Sequence, residues 1–540
     1  MRLTYTAALN GIGRRGAALV TLVHLAAIQA PQCTSARSSA QVNHLSETPI
    51  AANATPATST PADLSHAERE ALANGFRLEK DLLGREPVPA DAYYGVQTQR
   101  ALNNFHLSGV PLSHFPRLVE GLALVKAAAA EANHALGYLE TREHDAIQHA
   151  CARLMNGDHH DQFVVDMIQG GAGTSTNMNA NEVIANLGLE FLGYEKGDYQ
   201  QLHPNNHINM AQSTNDAYPT AIRVGLLRSH SVLVDALSEL ANAFASKALE
   251  FDDVVKMGRT QLQDAVPMTL GQEFRAFANT LREDVDRIAN LNELLKEVNL
   301  GGTAIGTGIN ADPRYSALAI EALARRSGID FRPASDLVEA TSDMGAFVLF
   351  HGMLKRLAVK LSKICNDLRL LSSGPRTGFN EINLPPQQPG SSIMPGKVNP
   401  VIPEAVNQVA FDVIGNDTAL TMAAEAGQLQ LNVMEPLIAY KLLDSIRQLS
   451  RAMSMLKNRC VIGITANRDR CAELVNNSIG LITALNPYIG YDNATRIAKE
   501  ALVSGRSVLE LVREEGLLDE VRLESLLSPQ AMTRPRQMKD

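Results

Sequence analysis

The sequence of 540 residues predicts an all-α protein built around a bundle of long helices. Apolar residues recur at three- and four-residue steps over long segments of the chain, which places one apolar face on each helix. Runs that alternate β-branched and polar residues, the signature of half-buried strands, are scarce. At roughly 100–200 residues per domain, a chain of this length forms two to four domains.

Three segments carry the helical pattern most clearly. The apolar stripes run through Leu233–Phe251 and Leu354–Leu371, and the segment Gln272–Asn299 contains neither Gly nor Pro. We expect each of these segments to form a helix longer than the average of about 11–12 residues. Helices of this length favour an extended bundle over compact globin-like packing.

The composition excludes several classes of protein. The net charge is −9, with 49 Lys and Arg against 58 Asp and Glu, so no basic field is available to bind nucleic acid. The five cysteines are scattered and form no CxxC pair, which fits a reducing compartment better than a disulfide framework. No apolar run reaches the roughly 20 residues of a membrane helix. We therefore expect neither a nucleic-acid nor a membrane partner.

The first 74 residues differ from the rest of the chain. Residues 1–46 contain arginines but no acidic residue, and an Ala/Thr/Pro/Ser tract of low complexity follows. We expect residues 1–74 to be a disordered extension or a targeting segment, with the folded protein beginning near Phe76. The predicted location is cytoplasmic, or an organelle or the cell exterior if residues 1–46 are a genuine targeting peptide.

Four polar segments interrupt the helical pattern. The longest, Gly374–Pro403, is rich in Gly and Pro, and a loop of this length inside a compact protein is usually functional or disordered. The others are Gln169–Asn179, Gln212–Thr220 and Gly258–Pro267. The prolines that flank the longest segment favour a defined lid over a random linker.

Phosphate and metal chemistry do not fit these segments. Gly390 and Gly396 enclose five residues where a phosphate-binding P-loop has four, and Val398 replaces its magnesium-binding Ser or Thr. His203 and His207 have the spacing of zinc ligands on a helix, but Pro204 lies between them and no Glu follows His203. We expect no metal and no cofactor.

Small neutral donors, one lysine and one loop serine remain as candidate site residues. Hydroxyl and amide groups fix the orientation of a carboxylate substrate, and a cation compensates its charge. Taken singly, each residue would more often serve a turn or the surface. The donors in the three shorter segments are Thr174, Ser175, Ser213, Thr214, Asn215 and Thr260.

The sequence GSSIMPGKVNP at residues 390–400 resembles the signature loop of the fumarase/aspartase superfamily. The resemblance extends from about Arg77 to Pro529, with all four polar segments in the family's order. Residues 169–186 (QGGAGTSTNMNANEVIAN) and 422–436 (MAAEAGQLQLNVMEP) are most similar to the ammonia-lyase branch. The resemblance implies reversible elimination of ammonia from L-aspartate to give fumarate, through an aci-carboxylate intermediate.

The resemblance also implies roles for individual residues. Ser391 matches the loop serine that acts as general base, and it would need help from loop dipoles and a nearby cation to lose its proton. The remaining matched positions bind the carboxylates and the amino group of the substrate. These positions are Thr174, Ser213, Thr214, Asn215, Thr260, Ser392, Lys397 and Asn399.

The family architecture implies three helical domains and a homotetramer. The domains would comprise residues 75–211, residues 212–466 with the signature loop 390–400, and residues 467–540. In the family the central helices of four chains form a twenty-helix core, and each active site draws on three subunits. Such sharing accounts for the wide separation of the polar segments along the sequence.

Two alternatives stay open at this point. The chain could be a fumarase-type hydratase that acts on malate, or a catalytically inactive structural relative. Gln261 stands where many relatives have a His that helps to protonate departing hydroxide, and ammonium leaves without such an acid. The intact loop residues Ser391, Lys397 and Asn399 argue against an inactive relative.

Overall fold

The computed structural model describes residues 64–535. Helices make up most of this part of the chain, so the predicted helical class is confirmed. The helices are α1 (His66–Ala73), α2 (Val96–Asn104), α3 (Pro116–Ala135), α4 (Thr141–Met155), α5 (Thr174–Phe191), α6 (Thr214–Glu250), α7 (Leu270–Ala289), α8 (Thr303–Gly306), α9 (Tyr315–Ser327), α10 (Glu339–Ser342), α11 (Gly345–Leu371), α12 (Val401–Glu425), α13 (Glu435–Arg459), α14 (Arg468–Asn477), α15 (Ile482–Ile489), α16 (Tyr491–Ser504), α17 (Val508–Glu514), α18 (Glu520–Leu526) and α19 (Pro529–Thr533).

Short two-stranded sheets join these helices, a feature that the helical periodicity did not predict. Three of the sheets are antiparallel, and the pair β5–β6 is parallel. The strands are β1 (Phe76–Asp81) with β2 (Gly84–Pro89), β3 (Val255–Thr260) with β4 (Gln263–Thr269), β5 (Glu297–Val298) with β6 (Arg332–Pro333), and β7 (Ile382–Asn383) with β8 (Thr465–Ala466).

Part of the predicted N-terminal extension is folded. Helix α1 lies within the 1–74 segment, and it begins with a capping box in which Ser65 accepts from the Glu68 N–H and Glu68 accepts from the Ser65 N–H. This reciprocal capping satisfies two backbone donors at the start of the helix. The expectation of disorder is therefore wrong for residues 66–73. The predictions for the first 63 residues, including a targeting peptide, lie outside the described residues.

Helix α6 is the longest helix of the described chain and lies at the centre of the helical core. It is 37 residues long and packs against α3, α7 and α13, while α12 packs between α11 and α13. The close approach of α3 to α6 requires Gly121, since a Cβ at this position would lie 2.5 Å from the Ala221 carbonyl oxygen. The predicted stripe Leu233–Phe251 lies in α6 and its C-cap, and the stripe Leu354–Leu371 lies in α11. The apolar residues at the three- and four-residue steps of both stripes are buried.

The predicted helix Gln272–Asn299 is shorter than expected. Helix α7 ends at Ala289, the next six residues form a 3₁₀ turn, and Glu297–Val298 pairs with β6. The backbone hydrogen bonds of Lys296 and Val298 with residues of the 332–334 segment therefore replace helical ones. Because these partners lie more than 30 positions away, local periodicity could not indicate where the helix ends.

The C-terminal helices have an apolar core of their own. Its buried residues lie between Leu485 and Leu526 and form a cluster separate from the main core. The predicted domain limits at residues 211 and 466 stay predictions. Within residues 64–535, none of the helices combines the length and the apolar character needed to span a bilayer. The cellular compartment also stays a prediction.

Candidate active site

The N-termini of α5 and α6 carry the first group of candidate residues. Thr174 opens α5, and its hydroxyl donates to the Gly171 carbonyl (2.8 Å). Ser213 caps α6: its hydroxyl oxygen accepts from the Asn215 N–H (3.2 Å), while its own N–H donates to Asp216 Oδ1 (2.9 Å). Helix N-termini carry partial positive charge and free N–H groups, so this end of the two helices suits a carboxylate.

Little negative charge faces this end of the helices. The first turn of α5 contains no acidic residue, and the acidic residue of the first turn of α6, Asp216, is buried. Asp216 Oδ2 accepts from the Gly301 N–H (2.8 Å), so its carboxylate points into the protein. Burial raises the pKa of Asp216 to about 6, against the lowering effect of these backbone hydrogen bonds. The partial positive charge of the two termini therefore remains available to a ligand.

Gly173 allows the two helices to approach each other. It is the N-cap of α5 with φ of 88°, a left-handed conformation that favours glycine. A Cβ at this position would lie 2.2 Å from the ring of Tyr218, which is buried in α6. Both the backbone conformation and the available space therefore require glycine here.

Lys126 lies beneath these helix starts and has no exposed surface. Its Nζ donates to Asn177 Oδ1 (2.7 Å), Asn209 Oδ1 (2.9 Å) and Gln212 Oε1 (2.9 Å). Burial lowers the pKa of Lys126 to about 7, partly offset by the charge of Asp216. Lys126 was not among the site residues predicted from the sequence. A single lysine in the otherwise apolar helical run GLALVKAAAA was the signal that could have identified it.

The segment from Asn299 to Ala304 holds Asn215 in place through two hydrogen bonds, and its backbone is strained at Ala304. Ala304 has φ of 56° and ψ of −86°, a conformation that is costly for a residue with a side chain. Its carbonyl accepts from Asn215 Nδ2 (2.7 Å), and Asn299 Nδ2 donates to the Asn215 carbonyl (2.9 Å). Pro219 has no N–H to donate to that carbonyl within α6, so Asn299 supplies the missing partner. The sequence analysis did not identify this segment either.

Thr260 lies at the tip of the β3–β4 hairpin and is exposed. The next two residues, Gln261 and Leu262, both have positive φ (55° and 61°), which is the conformation of a tight two-residue hairpin turn. A buried ion pair supports the hairpin, because Arg259 contacts Glu381 at 2.7 Å. This support holds Thr260 and Gln261 on a fixed base.

The signature loop 390–400 is pinned at both ends and exposed in the middle. The Gly390 N–H donates to the Lys397 carbonyl (2.8 Å), and Asn399 Nδ2 donates to the Gly390 carbonyl (2.7 Å). The Ser391 hydroxyl oxygen accepts from two backbone N–H groups, those of Ile393 (3.2 Å) and Met394 (3.1 Å). Of the other candidates in this loop, Ser392 and Lys397 are exposed.

One chain brings together only part of the predicted site. Ser213, Thr214 and Asn215 are consecutive, and Asn177 Nδ2 of the α5 segment donates to Thr214 Oγ1 (3.2 Å). Within residues 64–535, no hydrogen bond or ion pair links the signature loop or Thr260 to this group. The role of each candidate residue stays a prediction.

Known proteins match this sequence and fold closely. The family model described as lyase matches residues 84–415, and the model described as fumarase C C-terminus matches residues 481–534. The solved structure of fumarate lyase:delta crystallin from Brucella melitensis shares 58% identity, covers 85% of this chain and 100% of its own, and superposes with a TM-score of 0.83. Class II fumarase from Schistosoma mansoni shares 34% identity, covers 86% of this chain and 100% of its own, with a TM-score of 0.79.

The chain therefore belongs to the fumarase/aspartase superfamily of lyases. Among its curated relatives, the aspartate ammonia-lyase of Pseudomonas fluorescens is 74% identical over 465 residues, which cover 86% of this chain and 97% of the relative. The aspartate ammonia-lyase of Escherichia coli (strain K12) is 57% identical over the same shares of both chains. The family resemblance of the signature loop is confirmed.

The Gly173 contact leads to a testable prediction. Gly173→Ala and Gly193→Ala both place alanine at positive φ, at a cost of about 1–2 kcal/mol. Nothing lies within 4 Å of a Cβ at Gly193, whereas the same atom at Gly173 overlaps the Tyr218 ring. We expect thermal melting to show a clearly larger loss of Tm for Gly173→Ala. Equal losses would mean that the two helices separate at no cost.

Proposed function

We propose that the protein is an aspartate ammonia-lyase, which removes ammonia from L-aspartate to give fumarate and catalyses the reverse addition. The observation that carries the proposal is the meeting of two helix N-termini and their hydroxyl groups above a buried ammonium. This arrangement suits a substrate with two carboxylates. The names of the relatives in Pseudomonas and Escherichia support L-aspartate as that substrate.

The demanding step is removal of a proton from C3 of the substrate. It leaves an aci-carboxylate, in which two negative charges develop on one carboxyl group. Donors that are already oriented toward this charge supply most of the stabilisation, since they need no rearrangement during the reaction. We assign this role to the helix N-termini and to the hydroxyls of Ser213 and Thr214. Thr174 would join them once its hydroxyl turns away from the Gly171 carbonyl, to which it donates in the free protein.

Ser391 is the proposed base. An unperturbed serine hydroxyl ionises far above neutral pH, so the alkoxide form must be stabilised. In the loop, the two N–H groups of Ile393 and Met394 already donate to Ser391 Oγ. Such donors favour a negative oxygen over a neutral hydroxyl. The local fold of the loop thus supports a serine that gives up its proton.

The other loop residues and Asn215 are assigned to substrate binding. Lys397, together with Ser392 and Asn399, would neutralise and orient a carboxylate when the loop covers the substrate. Asn215 has a different task. Its Nδ2 is held by the Ala304 carbonyl, so its Oδ1 is the atom left to face a ligand. An acceptor oxygen suits the ammonium group of L-aspartate.

Gln261 favours an ammonia-lyase over a hydratase. It lies at the hairpin tip next to Thr260, with no ionisable side chain to protonate a leaving hydroxide. Ammonium carries its proton already and leaves as neutral ammonia, so the lyase needs no acid at this position. Malate hydration therefore remains the second candidate, favoured only by the wider family.

We further propose a homotetramer in which subunits share active sites. Exposed apolar side chains on α11 and α12 offer faces for helix packing between chains. Examples are Val359, 52% exposed, and Phe411, 60% exposed. Because no hydrogen bond or ion pair joins the signature loop or Thr260 to the α5–α6 group within residues 64–535, assembly would supply the missing parts.

The first prediction on function concerns the substrate. We expect the absorbance of fumarate to rise when L-aspartate is supplied and to stay near the blank with L-malate. Gln261 and the acceptor oxygen of Asn215 are the physical reasons. Comparable rates on the two substrates would contradict the proposed lyase and favour the hydratase.

The second prediction distinguishes the proposed base, Ser391, from the proposed substrate-binding residue, Lys397. Ser391→Ala should lower kcat by on the order of 10³-fold with little change in KM, because the lost interaction belongs to the transition state. Lys397→Ala should raise KM and lower kcat together. Its ammonium would bind a carboxylate in the ground state and also stabilise the charge that develops in the transition state. Steady-state kinetics distinguish the two patterns, with Tm as the control for folding. If Ser391→Ala keeps more than about a tenth of kcat, another group is the base.

The third prediction tests whether one active site contains residues from more than one chain. Chains with Ser391→Ala and chains with Thr214→Val should each be nearly inactive, but co-expression should restore measurable activity. Mixed tetramers would contain sites built from the intact loop of one chain and the intact α6 of another. Homotetramers of each variant are the controls. A mixture no more active than its components would place each site within a single chain.

A further inference from the structure

The side chain of Lys126 is the origin of a directed chain of hydrogen bonds. It is fully buried in α3, and its three N–H donors go to three neutral amide oxygens, those of Asn177, Asn209 and Gln212. Within residues 64–535, no carboxylate lies within 4 Å of its Nζ. A buried ammonium without a paired carboxylate is costly, and structures keep one when it serves a purpose.

The ammonium determines which way the Asn177 amide points. An ammonium can only donate, so the oxygen of Asn177 must face it and the NH₂ must face away. That NH₂ donates to Thr214 Oγ1 (3.2 Å) and to Asn209 Oδ1 (3.1 Å). The reversed amide would place two donors against each other and leave the oxygen toward Thr214. The charge on Lys126 therefore decides the direction of the bond to Thr214.

The direction of that bond has a consequence at the surface of the site. Since Thr214 Oγ1 accepts from Asn177, its own proton is not used by that partner. Thr214 is half-buried at the start of α6, so the proton can be donated to a ligand. If the amide were reversed, the Thr214 hydroxyl would donate inward and present only a lone pair, which repels a carboxylate.

We propose that Lys126 is a positioning residue for substrate binding: through Asn177 it makes the Thr214 hydroxyl a donor to a substrate carboxylate. The inference rests on the proposed function, because it assumes a dicarboxylate above Thr214. The buried positive charge also favours a dianion over a neutral ligand at this end of the helices. Neither effect requires contact between Lys126 and the substrate.

Two isosteric substitutions distinguish the effect of hydrogen-bond direction on substrate binding from the effect of the added negative charge. Asn177→Asp satisfies Lys126 with an ion pair but has no NH₂, so Thr214 must donate inward to it. Asn209→Asp offers the same ammonium the same negative charge and leaves the Asn177–Thr214 bond unchanged. We expect Asn177→Asp to raise the KM for L-aspartate and the inhibition constant of succinate by about tenfold or more. The rise for Asn209→Asp should be several times smaller.

Succinate is the binding probe because it has two carboxylates, no amino group and no titration near neutral pH. Tm should stay near the wild-type value in Asn177→Asp, because the new ion pair with the buried ammonium offsets the lost hydrogen bond from Asn177 Nδ2 to Asn209 Oδ1. If Asn177 only filled space, Asn177→Asp would leave both succinate binding and Tm unchanged, and that result would overturn the proposal. Equal rises in the two Asp variants would also overturn it, because charge alone would then explain them.

Lys126→Met removes the ammonium and leaves the Asn177 amide free to turn. We expect weaker binding of succinate, again by about tenfold or more. The matched control is Lys247→Met: Lys247 is also buried, donates to the Ile464 carbonyl, and lies about 50 Å along α6 from its N-terminus. If Lys126→Met does not fold, the two Asp variants still decide the question.

The pH dependence of succinate binding provides an independent readout. Two titratable groups face Lys126: Asp216 of α6, which supports its charge, and Cys151 of α4, whose pKa burial raises to about 12. Because the pKa of Lys126 is lowered to about 7 in the free protein, affinity should fall as pH rises above about 7. In Asn177→Asp the ion pair holds the proton, so the profile should flatten. An affinity that rises with pH above about 7 would contradict the role of the ammonium.

The outcomes distinguish failure of this inference from failure of the proposed function. If the wild-type protein forms fumarate from L-aspartate and the Asn177 and Asn209 variants behave alike, only the inference is wrong. If the wild-type protein forms no fumarate but binds succinate in the predicted order of variants, only the proposed reaction is wrong. Calorimetric titration with succinate measures the second case directly.

Discussion

The arrangement of the candidate site depends on one constraint: the buried ammonium of Lys126 must find an acceptor for each of its donors. Asn177, Asn209 and Gln212 provide them, and these residues come from the first turn of α5 and from the segment that enters α6. Satisfying the ammonium therefore holds the starts of two helices together. A buried cation that lost one of these acceptors would be left with an unpaired donor, at a cost of about 1–3 kcal/mol.

The two helix starts, which form the proposed binding site, have a single electrical character. Helix N–H groups and hydroxyls lie at these ends, while Asp216 is turned inward onto the Gly301 N–H. The strained backbone at Ala304 adds a complementary feature, because its carbonyl fixes the amide of Asn215 with the oxygen left free. Donors for carboxylates and one acceptor for an ammonium group are the combination that an amino dicarboxylate requires. The strain at Ala304 is consistent with a segment kept for the site it orients.

The separation between this group and Thr260 follows from the length of the helices. Helix α6 has 37 residues, and at 1.5 Å per residue it spans roughly 55 Å, so residues at its two ends cannot share a site. The β3–β4 hairpin with Thr260 follows the C-terminal end of α6, far from Ser213 at the other end. A site that uses both ends of such helices is most simply built between chains, as in the proposed homotetramer with shared active sites.

The sequence by itself determined the helical class, the polar segments and the family, because periodicity and short motifs are local properties. The apolar run around Lys126 marks it as a buried lysine, but not its role, because its partners lie 51 to 86 positions away. The sequence could not place the end of α7 or the role of Ala304 either, since both depend on contacts with distant segments. Only the tertiary structure decided which way the Asn177 amide faces, because a hydrogen bond acquires a direction only when donors and acceptors from separate elements meet.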